Sequence, residues 1–259
     1  MDDQKLQSAA ALYSKDPQGV LGPWLLGALG DAFFIGLLLT QVSTYYHLFP
    51  NDSKWTKSLV VVVCLLSCLK FSQTCYITWE KLVSGFGDWI NIVQVNWDLY
   101  TIPLMNQALC FCAQLFFTWR CFTFTGRNKY LLFSLLASIF IAFVLSILVS
   151  IRYAIDPYNN PQIQRYSFPQ LSLNVLNDLV ISVVVTIKLT RSRSGFNSAT
   201  DSALKRLLAI TWGAGIPPTI FAMLDMITFF AMPLNTAHVF FNFFTGRTYV
   251  FSMMYALNS

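Results

Sequence analysis

The sequence predicts an all-α integral membrane protein with seven transmembrane helices, its N-terminus outside and its C-terminus inside. Of its 259 residues, 55% are hydrophobic and only 11% are charged, whereas a typical soluble domain is about 25% charged. A soluble fold of this length would leave roughly a quarter of its surface area in water, and apolar residues that form long blocks cannot meet that demand. Soluble enzymes, nucleic-acid-binding proteins and disordered scaffolds are therefore excluded as classes. The lipid bilayer is the expected environment.

Seven segments contain the roughly 20 mostly apolar residues that are needed to cross a bilayer. Each is expected to be a helix, because a strand exposed to lipid would leave backbone N–H and C=O groups unpaired. The predicted transmembrane domain is residues 22–257. Its seven spans are residues 22–46, 57–83, 99–122, 130–153, 169–190, 206–231 and 235–257.

The two ends of the chain are expected to lie on opposite sides of the membrane. Residues 1–21 are polar and contain no apolar core or small-residue cleavage site, so they are expected to form an outside tail and not a cleavable signal peptide. Residues 258–259 are expected to be a short cytoplasmic end. The chain is expected in the plasma membrane or an endomembrane.

The distribution of basic residues gives the orientation. With the N-terminus outside, ten Lys and Arg residues fall on the inner side and five on the outer side. Cytoplasmic loops carry the excess of Lys and Arg in membrane proteins, so this bias favours the N-out arrangement. The segment 188–206 between the fifth and sixth spans is especially basic and is a candidate docking site for a cytoplasmic partner. Its basic residues of interest are Arg191, Arg193, Lys205 and Arg206.

Five ionisable side chains lie inside the apolar segments. They are Asp31, Lys70, Asp178, Asp225 and Arg247. A charge at the centre of a bilayer costs at least about 2.5–3.5 kcal/mol, so such residues normally face the interior of a helix bundle. At about 1.5 Å of rise per residue, four of the five lie at a similar depth, and Asp225 lies closer to the outer surface.

This layer of charges predicts ion pairs between helices. Lys70 is expected to meet Asp31, because consecutive spans are usually neighbours, and Arg247 is expected to meet either Asp31 or Asp178. On the fifth span Asn174 and Asn177 extend the polar patch. Three interpretations stay open: pairs that only fix helix packing, a ligand or ion site, or basic side chains that extend to the membrane interface.

No residue pattern indicates catalysis. The two histidines, His47 and His238, lie in different regions, so a multi-histidine zinc site is not expected. The six cysteines all lie inside or at the edges of apolar segments and are expected to be free thiols. We therefore expect no enzyme activity, no metal and no cofactor.

Five ordered motifs resemble a known family. They are LGPWLLG at residues 21–27, QVSTYY followed by FPND at 41–52, QLFFTWR at 114–120, RSRSGF at 191–196 and YALN at 255–258. Together they resemble the multispan membrane proteins of mushroom-forming fungi that carry a domain of unknown function (DUF6534). The resemblance implies a fungal seven-span protein, but it implies no substrate and no catalytic residue. Family members tend to carry Asn at position 31 and Lys at position 247.

Three functions remain open from the sequence. The leading hypothesis is a receptor-like or sensor-like membrane protein that binds an unknown small ligand through the polar layer. The first alternative is a small transporter or lipid-handling carrier, in which the same layer is a substrate site near the bilayer midplane. The second alternative is a structural membrane scaffold.

Overall fold

The computed structural model describes residues 2–157, 160–191, 198–231 and 236–259. For residues 2–5, 160 and 198–207 it describes the backbone alone. Over these ranges the secondary structure is entirely helical, which confirms the predicted all-α class.

The described residues form ten α-helices. They are α1 (Asp2–Tyr13), α2 (Pro17–Leu48), α3 (Lys54–Trp79), α4 (Trp89–Val93), α5 (Trp97–Tyr100), α6 (Ile102–Phe124), α7 (Lys129–Ile155), α8 (Asn160–Arg191), α9 (Ser198–Ala231) and α10 (Ala237–Asn258). A π-helical turn, Glu80–Ser84, extends α3.

Side-chain caps explain where several of the long helices begin. The Asp16 carboxylate accepts a hydrogen bond from the Gly19 backbone N–H at 3.0 Å, one turn into α2. Ser53 caps α3 and Asn128 caps α7 in the same way. These short polar side chains satisfy N–H groups that have no partner within the helix. Pro17 suits the first turn of α2, because the N–H that proline lacks would be unpaired there.

Six stretches are long and apolar enough to cross a bilayer, within the part of the chain that the structure describes. They are Pro17–Leu48, Lys54–Ser84, Trp89–Phe124, Lys129–Ile155, Pro161–Arg191 and Leu208–Ala231. They coincide with the first six predicted spans. The chain is therefore a multi-pass membrane protein, and its exposed apolar side chains, such as Phe33 and Leu65, face the lipid.

The seventh predicted span coincides with α10, which is not among these six stretches. It is less apolar because it carries Asn242, Thr245, Arg247 and Thr248. This helix packs against α2, α3, α6 and α9, and the residues from Thr245 to Met254 are almost all buried. Its polar side chains therefore meet other helices instead of lipid.

Two segments differ from the sequence-based expectation. The polar tail predicted for residues 1–21 contains α1, which packs against α4, and α2 begins within it at Pro17. The predicted basic loop 188–206 is helical at both ends, because α8 continues to Arg191 and α9 begins at Ser198. Arg193 lies outside the described residues, as do the side chains of Lys205 and Arg206.

Candidate functional site

A buried ion pair joins α2 to α10. The Arg247 side chain donates from Nε to Asp31 Oδ1 and from Nη2 to Asp31 Oδ2, the latter at 3.0 Å. The two residues are only 1% and 2% exposed. Two parallel hydrogen bonds match the guanidinium fork to the carboxylate, which is the strong geometry for such pairs. Of the two partners predicted for Arg247, the structure selects Asp31 and not Asp178.

Lys70 lies beside this pair but does not bond to it. Its ammonium group donates to the backbone carbonyl of Phe243 on α10 at 2.7 Å. The prediction that Lys70 bonds directly to Asp31 is therefore wrong, although the charges of Lys70 and Asp31 do interact. The reason is that the orientation of α3 brings the Lys70 ammonium group to the Phe243 carbonyl.

A hydrogen-bonded group on the side of this layer that is nearer to α1 joins α9, α10 and α6. Asn242 donates from Nδ2 to Asp225 Oδ2 at 3.0 Å. Asn106 on α6 donates to the Asn242 side-chain oxygen and to its backbone carbonyl, the latter at 3.0 Å. The Asn106 Oδ1 atom is buried and has no hydrogen-bond partner among the described residues. We call Asp225, Asn242 and Asn106 the outer group.

A second hydrogen-bonded chain runs deeper through α8, α6 and α10. Gln170 donates to Gln107 Oε1 at 2.7 Å, and the amides of Gln107 and Asn174 bond to each other in both directions, at 2.8 and 3.2 Å. Gln114 donates to Asp178 Oδ1 at 3.1 Å and to the Asn174 carbonyl at 3.4 Å. The Tyr249 hydroxyl donates to Asp178 Oδ2. We call this series from Gln170 to Tyr249 the amide chain.

Both polar series converge on α10. Asn242 belongs to the outer group and Tyr249 ends the amide chain, while Arg247 between them holds Asp31. Gly246 allows this convergence, because a Cβ atom at that position would lie 2.8 Å from Asn106 Oδ1 and 3.5 Å from Lys70 Nζ. We call the Asp31–Arg247 pair with Lys70, the outer group and the amide chain together the polar layer. This layer is assembled around α10, the predicted span that is not among the six apolar stretches.

A cavity of about 470 Å³ lies at the end of the bundle that α1 covers. The polar groups that line it include Asp225 and Asn242 of the outer group and Gln170, the first residue of the amide chain. Its walls are mostly apolar and aromatic. They include Tyr13, Val20, Trp24, Leu99, Ile102, Tyr153, Phe229, His238 and Val239. This combination of an apolar wall with a few convergent polar groups is typical of small-molecule sites.

The structure brings most of the predicted site residues into one layer. Asp31 and Arg247 form its ion pair, Asp178 and Asn174 belong to the amide chain, and Asp225 belongs to the outer group. Asn177 is buried, but its Nδ2 atom has no hydrogen-bond partner among the described residues. It was predicted to extend the polar patch of the fifth span, and it lies outside the amide chain.

Sequence analysis missed Gln170, Asn242 and Tyr249 as members of the layer. A signal for Gln170 was present, because it precedes Asn174 and Asp178 at four-residue intervals and so shares their helical face. Asn242 and Tyr249 are seven residues apart, which also places them on one face of α10. The packing of α1 had a weak signal, because Leu6, Ala9, Ala10 and Tyr13 recur at the spacing of one helical face, and Ala10 is buried.

The layer offers hydrogen bonding and charge. Within the described ranges no three His, Cys, Asp or Glu side chains come close enough together to hold a metal ion. The carboxylates of the layer accept hydrogen bonds from an amide, a guanidinium or a phenol. Such an arrangement can bind and orient a polar group of a ligand.

Comparison with known families gives a match over the C-terminal part of the chain, which includes Asp178, Asp225 and Arg247 of this layer. Residues 174–259 match the Family of unknown function (DUF6534). The DUF6534 match begins within α8 and includes all of α9 and α10, and it confirms the predicted resemblance over this part of the chain. No curated protein matches the sequence. No solved structure matches it either.

Proposed function

We propose that this protein is a receptor-like or sensor-like membrane protein that takes a small ligand into its outer cavity. The observation that supports this most strongly is the continuity between the cavity and the polar layer. Asp225, Asn242 and Gln170 line the cavity and are also bonded into the outer group or the amide chain. A ligand that contacts them would act directly on the packing of α10.

In this proposal α10 is the seventh transmembrane helix. Its 22 residues extend about 33 Å at about 1.5 Å per residue, which is enough for a hydrocarbon core of about 30 Å. Its polar side chains are compatible with a span because they bond to Asp31, Asp225, Asp178 and Asn106 inside the bundle.

The proposed orientation places the cavity outside. When seven spans are counted along the sequence, ten basic residues fall in segments on the side of the α2–α3 turn and five in segments on the side of the N-terminus, and the positive-inside bias makes the more basic side cytoplasmic. The N-terminus and α1 then lie outside and the C-terminus inside. On the inner side, the segment 188–206 is the proposed contact for a cytoplasmic partner.

The tight packing of the bundle on the side away from the cavity supports a receptor over a carrier. A cluster of buried apolar residues from α2, α3, α6 and α10 fills the bundle on the side away from the cavity, and it includes Leu38, Val60, Ala113 and Met253. A carrier needs a route to the second side, whereas a receptor needs only two arrangements of α10 with different ligand affinity. The scaffold alternative leaves the cavity without a role.

The first prediction tests the position and orientation of the cavity. Val239→Cys, expressed in intact cells, is expected to react with a membrane-impermeant methanethiosulfonate reagent, because Val239 lines the outer cavity and is partly exposed. Asn51→Cys is the matched control, since Asn51 is exposed in the α2–α3 turn at the opposite end. It is expected to react only after permeabilisation. The parent chain, with its six native cysteines, gives the background.

The reverse pattern would contradict the proposal. If Asn51→Cys reacts in intact cells and Val239→Cys reacts only after permeabilisation, the orientation is inverted. If Val239→Cys reacts under neither condition, the cavity is not accessible to a ligand from solution.

A further inference from the structure

The described lining of the cavity contains an acidic side chain but no Lys or Arg. Of the residues that line it, Asp225 is the one carboxylate, and no Lys or Arg belongs to the described lining. Asp225 is 3% exposed and is held by the neutral amide of Asn242 at 3.0 Å. Because the bonded partner is neutral, the hydrogen bond positions the carboxylate without neutralising it.

The interior cations are engaged elsewhere. Arg247 is bound to Asp31 by two hydrogen bonds, and Lys70 donates to the Phe243 carbonyl. The charge of Lys70 acts on Asp225, but neither cation lines the cavity. In the polar layer, three carboxylates (Asp31, Asp178 and Asp225) face these two cations. An added cation can reach Asp225 through the cavity.

The walls of the cavity also suit a cation on an apolar body. Five of the lining side chains are aromatic: Tyr13, Trp24, Tyr153, Phe229 and His238. Phe229 and His238 pack edge to face at 5.4 Å, and Trp24 packs in the same way on Phe243 at 5.7 Å. Aromatic faces attract ammonium groups and pack against apolar rings. A volume of about 470 Å³ lies within the range of small-molecule sites, about 300–1,000 Å³.

We propose that the outer cavity recognises an organic ammonium ion on an apolar or aromatic body, with the ammonium group bound by Asp225. This inference rests on the proposed function, because it names the ligand class of the same cavity. The amides of Gln170 and Asn242 would accept hydrogen bonds from a second polar group of the ligand or donate hydrogen bonds to it. An anionic ligand is disfavoured, because it would bring a second negative charge to Asp225 without a lining Lys or Arg.

Three matched probes test this inference on the full chain in phosphatidylcholine nanodiscs. They are phenethylamine, 2-phenylethanol and phenylacetate, which share one aromatic body and carry a positive, zero and negative charge. Ligand-detected NMR titrations, with empty nanodiscs as the blank, give the dissociation constants. Phenethylamine is expected to bind at least about tenfold more tightly than 2-phenylethanol, because a hydrogen bond to a charged group replaces one between neutral groups. Phenylacetate is expected to bind most weakly.

Substitution of Asp225 shows whether this carboxylate is responsible. Asp225→Asn is expected to weaken phenethylamine binding by about 10- to 100-fold and to leave 2-phenylethanol binding unchanged. Asp88→Asn is the matched control, since it removes an outer carboxylate that does not line the cavity, and Asn caps a helix as well as Asp does. It is expected to keep the preference for the amine. If Asp225→Asn does not fold, Asp225→Glu replaces it and is expected to keep the preference for the amine, because it keeps the charge. The order of the three affinities measured on the parent chain then decides whether the cavity recognises an ammonium ion.

The outcomes separate this inference from the proposed function. Equal binding of the amine and the alcohol, or tighter binding of phenylacetate, would overturn ammonium recognition while the cavity remained a ligand site. A preference for the amine that survives Asp225→Asn would overturn the role of Asp225. Absence of binding by all three probes would overturn the inference, and the labelling of Val239→Cys would then decide whether the proposed cavity itself stands.

Discussion

Asp31→Asn is expected to destabilise the folded protein by about 3–5 kcal/mol, because removing one partner of a buried ion pair leaves an unpaired charge in a medium of low dielectric constant. Arg247 is the partner, and its Nη1 atom already has no hydrogen-bond partner among the described residues. Asp31 also interacts with the charge of Lys70, so the substitution removes a nearby negative charge from two cations. Unfolding in detergent, followed by circular dichroism, measures the loss.

A double variant provides the control for this prediction. Asp31→Asn with Arg247→Met removes both charges of the pair, and such replacements are often close to neutral. It is expected to recover part of the stability but not all, because Lys70 still lacks its acidic neighbour. Asp31→Asn with Arg247→Lys, the combination that the family resemblance implies, is also expected to recover part. Additive losses in both double variants would show that positions 31 and 247 do not stabilise each other.

Gly246→Val is expected to destabilise the protein by about 1–3 kcal/mol, the typical cost of adding volume to a well-packed interior. Even the first added carbon would lie 2.8 Å from Asn106 Oδ1 and 3.3 Å from Leu109 Cδ1. Asn106 cannot move away freely, since its amide donates to Asn242. The substitution should therefore disturb the outer group as well as the packing of α6 on α10. The midpoint of thermal unfolding in detergent measures the effect.

Gly36→Val is the matched control for this substitution. Gly36 lies within α2, and a Cβ atom there would meet no atom within 4 Å. Its unfolding midpoint is expected to remain close to that of the parent chain. Equal losses at positions 36 and 246 would mean that the cost arises from valine in a helix and not from the contact with Asn106.

The long helices were predictable because each carries a strong apolar signal. The first six predicted spans coincide with stretches able to cross a bilayer, and the extra residues at their ends follow from caps such as Asp16 and Ser53. The seventh helix was predicted on the same criterion, because residues 235–257 form a mostly apolar segment of sufficient length. It is less apolar than the other six spans, and it packs against four other helices.

The pairing of charges was only partly predictable, because a linear sequence gives depth but not the direction of a side chain. Depth placed Asp31 and Arg247 at similar levels, and the structure pairs them. Depth equally suggested Lys70 as a partner of Asp31. The orientation of α3 instead brings the Lys70 ammonium group to the Phe243 carbonyl. The cavity and the position of α1 over it depend on long-range packing: the spacing of Leu6, Ala9, Ala10 and Tyr13 indicates one helix face but not the surface that this face meets.

The central claim is that occupancy of the outer cavity changes the state of α10 through the buried polar layer. Benzyl methanethiosulfonate attached to Val239→Cys places an aromatic group inside the cavity. Hydrogen–deuterium exchange of peptides from residues 245–258, measured in nanodiscs by mass spectrometry, reports on local opening of α10. The parent chain treated with the same reagent controls for its native cysteines. We predict that attachment changes deuterium uptake in these peptides and that adding Asn242→Ala, which removes the bond to Asp225, reduces the change. Unaltered uptake in fully modified protein would contradict the account.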